Sequence, residues 1–222
     1  MRLEGITFQG PALDDEAVLA ILPASLQVLL KQINGFILYG GALHVRGACI
    51  EPSWHSLREA WIEDRAFHLL YNAVAEGDIP FAQDCIGDQF LLRDERVHRL
   101  AAETGKLIPL NLSLPEFFDA VNKVPFEFLF MEPLRQVIEE GGRLLPGQLL
   151  QAHPPYCSLE AEQGVALRPV FGETLLAYHA DLARKIASAG PDGRISMQDY
   201  REDSLPIVER EPGQEVGVTE DG

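Results

Sequence analysis

Carboxylates with a spacing suited to acid–base chemistry lie in one short stretch, residues 76–105. Asp84 and Asp88 bracket Gly87, and Asp94 follows six residues after Asp88. Two carboxyl groups held in a cleft can act as general acid and general base, so Asp84 with Asp88, or Asp88 with Asp94, would suit a hydrolase. Nothing in the sequence marks such a cleft, and an aspartate at a turn commonly bonds the turn amides. The residues therefore favour the bend of a β-hairpin, and a hydrolase that uses these turn carboxylates ranks third among three hypotheses.

Histidine and cysteine give no pattern typical of a metal or nucleophile site. No two histidines have the spacing that places two ligands on one helix face, and no CxxC, GxSxG or P-loop motif occurs. Cys85 follows Asp84, and a neighbouring carboxylate raises the pKa of a thiol, so we interpret Cys85 as a small buried side chain. The sequence predicts no catalytic residue, no metal and no cofactor. The residues considered are His44, His55, His68, His98, His153, His179, Cys49, Cys85 and Cys157.

The charge balance limits the classes of partner. The chain of 222 residues has 34 acidic and 18 basic side chains, a net charge of −16. Phosphates would be repelled, which argues against nucleic acid or an anionic membrane surface as the partner and is compatible with a basic protein. A charge that only keeps the protein in solution is an equally good interpretation. No apolar run approaches the roughly 20 residues that span a bilayer, no secretory leader is apparent, and the scattered cysteines suit a reducing compartment, so a cytoplasmic location is expected.

Local patterns predict alternating helices and short strands. A leucine-rich helical stretch is split at Pro23 and ends at Asn34-Gly35, and two strands follow about Gly40-Gly41. Ser56 with Glu59 forms a capping-box pattern at the start of the next helix, from about residue 57. The stretch 78–110 then reads as a β-meander: "DIPFAQD", "QFLLRD" and a third strand, with a turn at residues 104–105. Together these patterns predict an α+β fold with a central, mostly antiparallel sheet and helices packed around it.

The second half of the chain is predicted to be mainly helical. Ser113 with Glu116 gives another capping box, Pro133 is expected to break the next helical segment, and the helix near residues 173–189 carries His179 on its apolar stripe. "LLPGQLLQAHPPYC" is compatible with either a loop or an edge strand, and "VALRPV" with a short strand. Residues 199–222 have a net charge of −6, and we interpret residues 191–222 as an acidic, flexible tail.

Several of these segments, in this order, resemble the SUKH superfamily, which includes the yeast cell-wall-synthesis regulator and many bacterial toxin-immunity proteins. The matching segments are "LPASLQVLLKQINGF", "DIPFAQDCIGDQFLLRDERVHRLAAETG" and "LSLPEFFDAV". The resemblance covers about residues 22–121, within a single expected domain of residues 1–190, and residues 125–190 depart from it as a helical extension. The signature positions, interpreted as scaffold, are Asn34, Gly35, Pro80, Phe81, Asp84, Gly87, Asp88 and Phe90.

The resemblance implies a binding protein without enzymatic activity. The leading hypothesis is an immunity-type module that occludes a cognate toxin, for example a nuclease, whose basic substrate groove would attract an acidic partner. A housekeeping or regulatory interaction scaffold without a toxin partner is the second hypothesis. The sequence leaves the oligomeric state open. Candidate contacts, chosen as acids near hairpin ends and as tryptophan anchors, are Trp54, Trp61, Asp88, Asp94 and Glu95.

Overall fold

Seven strands that follow one another in chain order form the central sheet of the computed structural model, which describes residues 3–189. Each strand pairs antiparallel with the next, so the sheet is a meander from β1 to β7. The predicted α+β fold with its antiparallel sheet is confirmed. The predicted tail, residues 191–222, lies outside the described residues. The strands are β1 (Ile6–Gln9), β2 (Phe36–Leu38), β3 (Leu43–Val45), β4 (Ile79–Asp84), β5 (Gln89–Arg93), β6 (Arg96–Ala101) and β7 (Lys106–Leu112).

Helices fill the connections and follow the sheet. Pro23 separates the first two helices, as predicted, and Pro133 lies in the first turn of α7, where its missing N–H leaves no helical bond unmade. The described helices are α1 (Glu16–Ile21), α2 (Ala24–Gln32), α3 (Leu57–Trp61), α4 (Phe67–Leu70), α5 (Leu114–Lys123), α6 (Pro125–Phe128), α7 (Glu132–Glu139) and α8 (Gly172–Ala189), with short 3-10 turns at Ser53–His55 and Glu160–Gln163.

Alternation along the strands gives the sheet two apolar faces. Successive side chains of a strand point to opposite faces, so Phe90 and Leu91 belong to different cores. The larger core gathers side chains of α2, α5 and the sheet, including Leu26, Phe81, Phe117 and Phe118. The smaller core joins Leu91 and Leu100 to α4 and α8, through Phe67, Tyr71, Ala180 and Ala183. Both faces of the central sheet are therefore covered, and α8 covers part of one of them.

Three local expectations need correction. Residues 125–190 are not only helical, because β8 (Gln148–His153) and β9 (Ala166–Phe171) form a second, two-stranded antiparallel sheet. The stretch predicted as a third meander strand is two strands, β6 and β7, about the turn at residues 102–105. The Ser56 side chain makes no capping hydrogen bond at α3, whereas the Ser113 amide and hydroxyl both donate to the Glu116 carboxylate at α5, as predicted.

Candidate functional site

The acidic turn between β4 and β5 is held by a closed set of hydrogen bonds. Asp84 Oδ1 accepts from the amides of Ile86 (3.1 Å) and Asp88 (3.0 Å). Arg99 donates to Asp84 Oδ2 through Nη2 (3.0 Å) and to Asp88 Oδ2 through Nε (2.9 Å), and Asp88 Oδ1 accepts from the Ala102 amide (2.8 Å). Every carboxylate oxygen of the pair thus has a partner. Burial raises the pKa of both carboxyl groups, against the opposing effect of Arg99 and the amides.

The extension that follows residue 125 covers this turn. The Leu150 amide of β8 donates to the Cys85 carbonyl (2.7 Å). Gly87, at φ +92°, lies so close to Leu149 and His179 that a Cβ would stand 3.4 Å from each. The turn acids therefore lie beneath β8 and α8, and their geometry is that of a buried hairpin bend. The local role predicted for Asp84, bonding of the turn amides, is confirmed.

The thiols and the metal-ligating residues form no reactive cluster in the described chain. Cys49 and Cys85 are buried, Cys157 is half-buried, and all three are free. Burial raises the pKa of Cys49 to about 11 and that of Cys157 to about 12, and burial beside Asp84 raises the pKa of Cys85 further. Residues 3–189 contain no group of three or more His, Cys, Asp or Glu side chains placed to hold a metal ion.

Three of the five predicted contact residues lie at one end of the sheet. Asp94 and Glu95 form the two-residue turn between β5 and β6, both with positive φ (47° and 60°), and both are exposed. Trp61 Nε1 donates to the Glu76 carbonyl (3.0 Å), and Arg93, next to Asp94, donates to the Ala73 carbonyl (3.0 Å) of the same loop. We call this surface the acidic end: Trp61, Ile62, Glu76, Asp94 and Glu95.

The other two predicted contacts lie elsewhere. Asp88 is 8% exposed, and its carboxylate accepts from Arg99 and from the Ala102 amide, so it is not accessible to a binding partner. Trp54 is half-buried against Phe8 and His44, with ring centroids 5.4 and 5.3 Å away. The structure thus separates the two tryptophans: Trp61 lies at the acidic end, and Trp54 lines a cavity.

A row of buried hydrogen bonds connects the start of the sheet to its centre. The His55 Nε2 atom lies 3.2 Å from the Asn34 carbonyl, which can only accept, so His55 donates there. Its Nδ1 then accepts from His44 Nε2 (2.8 Å), and His44 Nδ1 accepts from the Gln83 amide (3.1 Å). Burial lowers the pKa of both imidazoles, and each has one donor and one acceptor nitrogen in this row, as a neutral imidazole requires.

Arg46 stands at the inner end of this row without a carboxylate. Its side chain donates to the Pro80 carbonyl and to the side-chain oxygens of Gln83 and Gln89, each at 2.7 Å, and its guanidinium lies 5.5 Å from the ring centre of Phe67. No carboxylate within residues 3–189 lies at ion-pair distance from it, although the residue is only 3% exposed. Burial lowers the pKa of Arg46 to about 9, which leaves the guanidinium charged at neutral pH.

A cavity of about 390 Å³ opens beside Arg46. Its walls come from the Trp54 segment, from α3 and α4, and from the first turns of α8. Ser56 lines it, and the buried Ser56 Oγ has no hydrogen-bond partner. At the rim, Arg65 and Glu173 form an ion pair (2.6 Å). Sequence reasoning missed this site. The one local signal is the pair of polar residues His44, in the otherwise apolar β3, and Arg46, directly after its end.

The signature positions serve the scaffold. The Asn34 side chain joins the segments that follow β1 and β3: it accepts from the Ala48 amide (2.7 Å) and donates to the Pro11 and Ala48 carbonyls (3.2 and 3.3 Å). Gly35 has φ +76°, and a Cβ there would stand 2.4 Å from His55 Nε2. The remaining apolar signature residues, Pro80, Phe81 and Phe90, are buried in or beside the larger core.

Comparison with known proteins assigns no family to this chain. No family model matches the chain, and no curated protein matches it. The crystal structure of Atu4351 from Agrobacterium tumefaciens is similar over 79% of this chain and 85% of that chain, with 14% sequence identity and a TM-score of 0.48. Within residues 3–189, no helix combines the length and the apolar character needed to cross a bilayer.

Proposed function

We propose that this protein is a non-enzymatic binding module of the immunity type, which docks a basic domain of another protein through the acidic end. The observation that carries the proposal is the composition of that surface. Trp61 is half-buried there and Ile62 is 43% exposed, beside the exposed carboxylates of Glu76, Asp94 and Glu95. An aromatic and aliphatic centre surrounded by charge is the usual arrangement of a protein-binding surface.

The pairing of charges supports this choice of surface. Many arginines are already paired with acids of the fold, among them Arg58, Arg93, Arg99 and Arg135. No ion pair within residues 3–189 joins a cation to Glu76, Asp94 or Glu95. Asp94 attracts its neighbour Arg93, whose guanidinium bonds Asp78, and the Glu95 carboxylate accepts from the Ser25 hydroxyl (3.0 Å). The acidic end therefore keeps its charge available for a cationic partner, as expected for electrostatic steering.

The buried state of the turn acids supports a binding role over hydrolysis. A general acid or base must reach the substrate proton within hydrogen-bond distance. Asp84 is fully buried, and the oxygens of Asp84 and Asp88 are engaged by Arg99 and backbone amides. The same order of segments that resembles the SUKH superfamily adds the immunity role to the proposal, with occlusion of a toxin's substrate groove as the mechanism.

Neutralising the acidic end tests the proposal. A triple variant, Glu76→Gln, Asp94→Asn and Glu95→Gln, removes three charges, and asparagine tolerates the positive φ of position 94. The matched control removes three exposed charges elsewhere: Asp119→Asn, Glu127→Gln and Glu140→Gln. The three proteins are used to capture partners from the native cell, and the association rate of any retained basic protein is measured by surface plasmon resonance at low and physiological salt.

We expect the wild type and the control variant to retain a basic toxin domain, and the acidic-end variant to associate with it about ten times more slowly at low salt. Higher salt should slow the wild type towards the rate of the variant, because screening weakens steering. Equal rates for all three proteins would refute the acidic end as the docking surface. A retained partner that is not a toxin would favour the regulatory scaffold instead.

A further inference from the structure

We propose that the cavity beside Arg46 is a binding site for a small organic carboxylate with an aromatic or aliphatic body. None of the residues that line it belongs to the acidic end, and the inference does not depend on the proposed function. Its volume of about 390 Å³ falls in the range of sites for small ligands, which are mostly apolar with a few placed polar groups.

The first observation is the unbalanced charge of Arg46. A buried guanidinium is costly to desolvate unless an anion accompanies it. Arg46 has only neutral oxygens as acceptors, from Pro80, Gln83 and Gln89, and these accept from Nη1 once and from Nη2 twice. A guanidinium has five N–H donors, so these three bonds leave further donor capacity beside the cavity. A ligand carboxylate would supply the missing negative charge.

The second observation is the orphaned hydroxyl of Ser56. The residue is 1% exposed, lines the same cavity, and its Oγ has no partner in the structure. A buried polar atom without a hydrogen bond is rare, because it has lost its bonds to water and gained none in return. Ser56 is also free of the capping role that its sequence position suggests, because α3 begins without a bond to its side chain. Its hydroxyl can therefore donate to a carboxylate oxygen of a bound molecule.

The walls determine the rest of the ligand. Trp54, Phe67, Leu70 and Leu176 supply apolar surface for a ring or chain. The charged groups at the rim are Arg65, Glu59 and Glu173, and Glu173 accepts from Arg65 (2.6 Å) and from the Ser53 hydroxyl (3.3 Å). Two carboxylates against one guanidinium favour a ligand whose outer part is neutral or carries an ammonium group. The chemistry shared by these ligands is the carboxylate at Arg46.

Three probes of similar shape test the site in the full chain. Sodium phenylacetate carries the carboxylate, phenylacetamide is its neutral counterpart, and L-phenylalanine adds an ammonium group. Affinity is measured by calorimetry at millimolar concentrations. The location is read from the two indole N–H signals in nitrogen-correlated NMR spectra, with Trp61→Phe to assign them. We expect phenylacetate to bind at least about tenfold more tightly than phenylacetamide and to shift the signal of Trp54 alone.

Ser56→Ala separates ligand binding from folding. The variant removes an unpartnered hydroxyl, so the melting temperature without ligand should stay the same or rise, while the affinity for phenylacetate should fall about three- to tenfold. Ser188→Ala, near the other end of α8, is the control and should leave the affinity unchanged. If L-phenylalanine binds more tightly than phenylacetate, the natural ligand carries an ammonium group that lies at the rim. If phenylacetate binds more tightly, the ligand is a carboxylate without an ammonium group. Absence of binding, equal binding of phenylacetamide, or an unchanged affinity in Ser56→Ala would each overturn the proposal.

Discussion

Arg99 and Arg46 differ in the groups that accompany their positive charge. Arg99 is one-quarter exposed and accompanies two buried carboxylates, Asp84 and Asp88. Arg46 is buried and is accompanied by neutral oxygens only. In the first arrangement two carboxyl groups, whose pKa values burial raises, share one guanidinium within the fold. In the second, no anion of the fold accompanies the guanidinium. Residue identity alone does not distinguish them; the partners do.

Substitution of Arg99 tests how much the positive charge at the β4–β5 turn contributes to the stability of the fold. Arg99→Met leaves Asp84 and Asp88 buried without a counter-charge, and we expect the free energy of unfolding at pH 7 to fall by about 3 kcal/mol. Urea denaturation measures the change. Arg135→Met is the matched control, because its partners Glu132 and Glu139 are exposed and solvent screens such a pair, so its loss should cost far less stability. Equal losses in the two variants would contradict the role assigned to Arg99.

The sequence allowed the prediction of one of these two sites. Asp84 acts within its own turn, and the spacing of Asp84, Gly87 and Asp88 is a local signal of that role. The environment of Arg46 is assembled from residues at positions 46, 56, 65, 83 and 173, which come together only when the sheet has formed and α8 has docked. Local patterns contain no record of such distant pairings, so this site could not have been predicted from spacing.

At the level of elements, the accuracy of prediction follows the strength of the local signal. Pro23, Asn34-Gly35 and Gly40-Gly41 mark helix and strand ends, and the structure has ends there. The strand β1 was missed because it is a short edge strand whose side chains are mostly exposed, so it lacks the alternation of a half-buried strand. The short strand predicted from "VALRPV" is present as β9, whereas β8 lies in a proline-containing stretch that was compatible with either a loop or an edge strand.

The β8 strand should be part of the cooperative fold and not a detachable addition. Leu150 is 1% exposed and belongs to the larger core, and its amide bonds the Cys85 carbonyl. We expect Leu150→Ala to reduce the free energy of unfolding by about 2–5 kcal/mol, because the truncation leaves a cavity. Denaturant unfolding should remain a single transition by both fluorescence and circular dichroism.

A surface leucine gives the control for this prediction. Leu145 precedes β8 and is 48% exposed, so Leu145→Ala should change stability by no more than about 0.5 kcal/mol. A loss of stability in Leu150→Ala no larger than that of the control, or two separate transitions in the wild type, would show that the central sheet folds without β8.

At the level of the whole molecule, three buried histidines should make the protein sensitive to acid. Burial lowers the pKa of His44 and His55, and that of His179 to about 3. A lowered folded-state pKa means that the unfolded chain binds more protons below the ordinary histidine pKa of about 6.5. Stability is therefore complete above that pH and is lost as the pH falls from about 6.5 towards the folded-state value.

Replacement of His179 measures how much this histidine contributes to the loss of stability at acidic pH. His179→Leu removes a side chain whose buried Nδ1 has no partner. Between pH 7.5 and 5.5, the wild type should lose about 1.4 kcal/mol more stability than this variant. In this pH range the unfolded chain binds a proton at His179, whose ordinary pKa is about 6.5, and the folded chain does not. His153→Gln, at an exposed position, is the control and should follow the wild type. Parallel pH profiles for all three proteins would rule out His179 as a source of acid sensitivity.

The ring of His55 has a consequence for how this fold can diverge. A methyl group at Gly10 or Gly35 would stand 2.3 or 2.4 Å from His55 Nε2, and one at Gly47 would stand 3.0 Å away. His44 in turn has His55 as its acceptor. The backbone crowds the same three positions: a Cβ would stand 2.1 Å (Gly10) or 2.6 Å (Gly47) from the Asn34 carbonyl oxygen, and one at Gly35 would stand 2.7 Å from the Gly47 amide nitrogen. Replacing His55 would therefore not make room for a side chain, and an alignment of relatives should show glycine at these three positions even where the imidazole pair has been replaced.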